Sequence, residues 1–157
     1  MRLTILLAAV AALVNCDAED FPSFDIFHSH CAIDVTFPGQ LCASVYQGII
    51  TTVNKFNAGA DPSGGTYQYY EKQAISYIWL THLSKYGWAS DVIFEPAQLG
   101  DDCILRGRSR TESTWHSAGT ENYCDLWNVH TALGGYVSQQ IGSCSEVPDK
   151  PAVTCSQ

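Results

Sequence analysis

Polar and apolar residues alternate strictly through "CAIDVTF": Cys31, Ile33, Val35 and Phe37 fall on one side, Ala32, Asp34 and Thr36 on the other. A period of two is that of a half-buried β-strand, and Pro38-Gly39 ends it. The period then lengthens. In "LCASVYQGIITTVNKFNAG", Val45, Ile49, Val53 and Phe56 recur at helical spacing, and Asn57 with Gly59 supplies a stop. The loop "ADPSGG" leads into four aromatic-rich, strand-like runs: "TYQYYEK", "AISYIWLTHL", "WASDVIFEP" and "DCILRGRSR". Short connections at Lys85-Tyr86-Gly87 and Leu99-Gly100-Asp101 favour an antiparallel meander.

A second helix is predicted over Thr120–Leu133, with Thr120 as its cap and Gly134-Gly135 as its end. Tyr123, Leu126, Trp127, His130 and Leu133 form its apolar side, with Trp127 as a core residue. The tail "SCSEVPDKPAVTCSQ" reads as a tied-down extended segment, and "DAEDFPSFDIFHSH" ahead of the first strand reads as an extended arm. The pattern therefore predicts an α+β fold: an antiparallel sheet of about five strands with two helices packed on one face.

The first residues change the picture of compartment. Arg2 precedes an apolar run from Leu3 to Val14, followed by small and polar residues, which is the layout of a secretory signal peptide. Residues 1–18 form this predicted signal, with cleavage after Cys16 or Ala18, and residues 19–157 form a single secreted domain. Roughly 140 residues suffice for one domain with a real core. Beyond Cys16 stand six cysteines: Cys31, Cys42, Cys103, Cys124, Cys144 and Cys155. An even number in an exported chain reads as three disulfides of undetermined connectivity. No two of them are close enough for a zinc motif.

The formal charge of −8 makes nucleic acid an unfavourable partner, because neutralising phosphates takes a surplus of Lys and Arg. Within this acidic chain, Arg106, Arg108 and Arg110 share one face of a strand, opposite Cys103, Leu105, Gly107 and Ser109. Asp91 and Glu95 take the matching face of the preceding strand. The three arginines are then either a solvated face paired weakly with these carboxylates or an anion-binding stripe. A sulfated or carboxylated extracellular glycan is the ligand class for the second reading.

The elements "DVIF" (Asp91–Phe94), "RGRSR" (Arg106–Arg110), and Gly119 with Asn122 leading into a helix resemble a family of uncharacterised bacterial and plastid proteins. They are also similar to small secreted, cysteine-containing protist proteins, which "CAIDVTFPG" followed by "CASVY" resembles as well. The resemblance covers Asp91–Val129 and, less closely, Cys31–Tyr46. It departs from the bacterial pattern at the cysteines, at Arg108 and in "YCDLW". What the resemblance implies is fold and compartment, with no activity attached.

Other candidate chemistry is thin. His28 and His30 in "HSHC" share one side of an extended segment, but no third ligand stands at fixed spacing, so no metal is expected. An even cysteine count leaves no free thiol as nucleophile. No cofactor motif is present in the sequence. Tyr77, Trp79 and Trp115 are candidates to line a pocket between sheet and helix that would hold a small apolar ligand. The reading that follows is a secreted binding or interaction module without catalytic activity. Its expected partner is an extracellular protein or glycan. A carrier of an apolar ligand comes second and a hydrolase third.

Overall fold

A computed structural model describes residues 18–114 and 119–156. Nearly all of the predicted signal segment and Trp115 of the predicted pocket lie outside that range. Six strands form one antiparallel sheet in the order β2-β3-β4-β5-β1-β6. They are β1 (His30–Phe37), β2 (Thr66–Gln73), β3 (Tyr77–Leu83), β4 (Ala89–Leu99), β5 (Asp102–Thr111) and β6 (Ser138–Cys144). Helices α1 (Cys42–Lys55) and α2 (Glu121–Leu133) follow β1 and β5, and a short α3 (Pro151–Thr154) closes the chain. The class is α+β, as the periodicities predict. Among the described residues the sheet has six strands rather than five, and there is a third, short helix.

The meander β2-β3-β4-β5 is the predicted one; the tail is the correction. Its "SQQIGSC" has no apolar alternation, yet it pairs with β1 at the sheet edge, where mostly polar, exposed residues are tolerated. Backbone pairing and the Cys31–Cys144 bridge hold it there. The other two bridges are Cys42–Cys103, from the first turn of α1 to the start of β5, and Cys124–Cys155, from α2 to the end of α3.

Both long helices cover the same sheet face. Val45, Ile49, Val53 and Phe56 of α1 and its extension meet Ile33, Val35, Leu80, Phe94 and Leu105 of the sheet, together with Leu126 and Val129 of α2. Gly107 sets how closely α2 approaches: a Cβ there would lie 3.0 Å from Leu126 Cδ2 and 3.2 Å from the Ile33 carbonyl oxygen. Two details of α2 differ from expectation. Thr120 stands at the cap position but makes no side-chain cap bond, and its carbonyl instead accepts the Cys124 N–H at 3.0 Å. Trp127 is only partly buried, packing on the rim of the core, because the strip facing the sheet runs through Asn122, Asp125, Leu126 and Val129.

The opposite sheet face is not open to solvent as the arginine pattern implied. Residues 18–28 lie over it. Phe21 joins Tyr77, Trp79 and Ile93 in a second apolar cluster, with Ala18 and Phe24 packed alongside.

Candidate functional site

Alternation through β3 sends Ile78, Leu80 and His82 toward the helices and Tyr77 and Trp79 away from them. Register then extends a polar row across the sheet: His82 pairs with Ser90 of β4, and Ser90 pairs with Thr111 of β5. Ser109 lies one inward position along β5, and all four residues are buried. Directly over this row sits the first turn and a half of α2, which contributes Asn122 and Asp125, both also buried.

Most of these groups hydrogen-bond to one another, while His82 Nε2 and Asp61 Oδ1 are buried without a hydrogen-bond partner. His82 Nδ1 donates to Asp125 Oδ1 at 2.7 Å. Ser109 Oγ is 2.8 Å from Asn122 Oδ1 and 2.9 Å from Asp125 Oδ2, and its single proton serves one of them at a time. Asn122 Nδ2 donates to Thr111 Oγ1 at 2.9 Å. On the other side of the imidazole, Nε2 faces Asp61 Oδ2 at 3.7 Å, an ion-pair distance too long for a hydrogen bond. Asp61 belongs to the loop "ADPSGG", which curls around its carboxylate: Ser63 Oγ and the Gly65 N–H each donate to Oδ2 at 2.6 Å. The Tyr67 ring lies against the imidazole, centroids 4.4 Å apart. Gly65 is required here for close approach, since a Cβ would collide with His82 Nε2.

Burial on its own would push the His82 imidazole down. The contacting Asp125 carboxylate and the nearby Asp61 outweigh it and raise the pKa to about 10. Burial likewise opposes ionisation of Asp61, but the nearby His82 imidazolium and the protons donated by Ser63 and the Gly65 N–H hold its carboxyl below the ordinary value. His82 is therefore an imidazolium at neutral pH, clamped between two carboxylates. A second buried histidine behaves oppositely. His130 lies edge-on to Phe94 with no polar partner at either ring nitrogen, and burial lowers it to about 3.

A cavity of about 230 Å³ opens beside the clamp. His82 and Asp125 lie at its base, the Cys124–Cys155 bridge in its wall, and Ser63, Ser84, Lys85, Tyr86 and Glu121 are among the residues around it. Neither His82 nor Asp125 nor Asp61 was among the expected site residues. Their signal was parity: a histidine, a serine and two α2 polar residues at positions where the apolar neighbours point inward.

The residues that the sequence singled out fall elsewhere. Tyr77 and Trp79 are buried on the face away from the helices, so they do not line a sheet–helix pocket. Strand parity is the reason. The three arginines do not form one open stripe. Arg106 is exposed. Arg108 pairs with Glu95 at 2.7 Å and lies over the Phe21 ring at 4.8 Å. Arg110 reaches Asp25 of the arm at 2.9 Å rather than Asp91, whose carboxylate accepts the Trp79 Nε1 proton at 3.0 Å. His28 contacts Asp25 and Arg110, while His30 contacts Ser143. Among the described residues no group of three His, Cys, Asp or Glu side chains could hold a metal. No helix among them is long and apolar enough to cross a membrane. No protein-family model matches the chain, and no curated protein matches it.

Proposed function

We propose that this chain is a secreted extracellular module that acts by binding rather than by catalysis. The observation that carries this reading is the His82 clamp. A general base needs a ring nitrogen free to take a proton near the working pH. Here Nδ1 is spent on Asp125, Nε2 is closed off by Asp61 and the Gly65 backbone, and the ring stays protonated. The serine in contact with the clamp, Ser109, is itself fully buried and cannot meet a substrate. The clamp ties β3, α2 and the Asp61 loop together, which is a scaffold role. The three disulfides are compatible with an oxidising, extracellular setting.

A ligand carrier is the second reading, favoured by the cavity beside the clamp. Its lining mixes the polar Ser63, Ser84, Lys85 and Glu121 with Tyr86 and the Cys124–Cys155 bridge. Native mass spectrometry of the secreted protein separates the two. A bare mass with six oxidised cysteines supports the interaction module, and a retained small molecule overturns it in favour of the carrier.

A further inference from the structure

The arm that covers the outer sheet face is a peptide seated in a site. Phe21 is almost fully buried, its ring 5.4 Å from that of Trp79 and packed with Ile93. The Arg108 guanidinium closes over it from above at 4.8 Å. Four residues on, the Asp25 carboxylate is received by Arg110 at 2.9 Å. Pro22 between them favours an extended backbone, so aromatic anchor and carboxylate are presented at a fixed span. The rest of the arm is acidic, with Glu19 and Asp20 beside the anchor. Side chains make these contacts, and the Asp25 carboxylate is also held by the Phe27 and His28 N–H groups and the His28 ring. Where the arm joins β1, Ile26 and Phe27 are exposed, while Phe24 stacks on His30 at 4.3 Å and His28 meets Arg110 at 2.7 Å.

We propose that the groove formed by Trp79, Ile93, Arg108 and Arg110 is an interaction site for an acidic, extended peptide segment of a partner protein bearing an aromatic anchor. In the free chain this module's own arm occupies the groove. The inference rests on the interaction-module reading and supplies the partner's chemistry. A guanidinium stacked on a ring beside an apolar floor recognises the aromatic residue, and a second guanidinium recognises a carboxylate. The tethered arm competes at high effective concentration, so a partner engages once the arm is displaced.

The test uses the full chain and a fluorescent synthetic peptide, AEDFPSFDIFH, that copies residues 18–28. Wild-type protein should bind it weakly. A Phe21→Ala, Asp25→Asn variant, whose own arm is loosened, should bind it about tenfold or more tightly. Adding Arg108→Gln and Arg110→Gln to that variant should remove the gain. No gain in the loosened variant, or a gain that survives the arginine changes, overturns the proposal. Should the fourfold variant not fold, the Trp79 indole N–H resonance of the loosened variant serves instead. It should shift when peptide is added, and an unmoved resonance overturns the proposal. A doubled mass from exchange of arms between copies overturns the partner assignment in favour of a second copy. Failure here leaves the interaction-module reading intact, since that rests on His82 and on the native mass.

Discussion

The two faces of this sheet are closed by different means. On the helix side, two helices, two disulfides that anchor them, and a buried His82–Asp125–Asp61 clamp make the main core layer. On the other side a single stretch of chain lies over Trp79 and Ile93, fastened by Phe21, Phe24 and two arginines. Charged and aromatic residues serve both faces. What differs is the number of elements engaged: the helix side joins two helices, a loop and the sheet, whereas one stretch of chain covers the other face.

The sharpest way to break this contrast is Asp125→Ala. It leaves an imidazolium buried with only Asp61 nearby, and removing one partner of a buried pair costs about 3–5 kcal/mol. Chemical denaturation should show that loss, and a cost below about 1 kcal/mol would mean that the clamp is solvated. A matched pair of truncations comes next. Phe94→Ala, in the helix-side core, should cost about 3–5 kcal/mol. Phe21→Ala should cost only about 1 kcal/mol in global unfolding, because the loss is capped at the free energy of docking the arm. Equal costs for the two would place the arm inside the cooperative core. Smallest of all is Arg106→Gln. This exposed residue stands in register with Asp34 and Glu95 and should change stability by less than about 0.5 kcal/mol.

Titration sharpens the same comparison inside the core. His82 is raised from 6.5 to about 10, so its pairing contributes fully below pH 6.5 and is lost as pH rises through about 10. Asp61 works at the opposite end: its contribution is present above the ordinary carboxylate value and is lost as pH falls through its lowered folded value. His130 has the reverse sign, since its folded value is lowered to about 3 and the unfolded chain takes up the proton first, costing stability below pH 6.5. Ring-nitrogen NMR from about pH 5 to about pH 9 should therefore show His82 doubly protonated and His130 neutral throughout. A His82 titration between about pH 6 and pH 8 would return it to the role of a general base.

Residue order alone determined five of the strands, the two long helices and their apolar stripes, because each depends on a local period of two or of about 3.6 that is read within a few residues. It also determined that Arg106, Arg108 and Arg110 share a face, since parity along one strand needs no partner. Tertiary structure decided the rest. "SQQIGSC" became a strand through pairing with β1 more than a hundred residues away, an association that carries no local signal. Which arginine meets which carboxylate depended on where the arm lies, and Asp25 thereby displaced Asp91 as the partner of Arg110. His82, Asp61 and Asp125 come from a strand, a loop and a helix far apart in the chain. Only the register of the sheet and the seat of α2 bring them within contact, and only the two carboxylates set against the imidazole there, acting against burial, keep it charged at neutral pH.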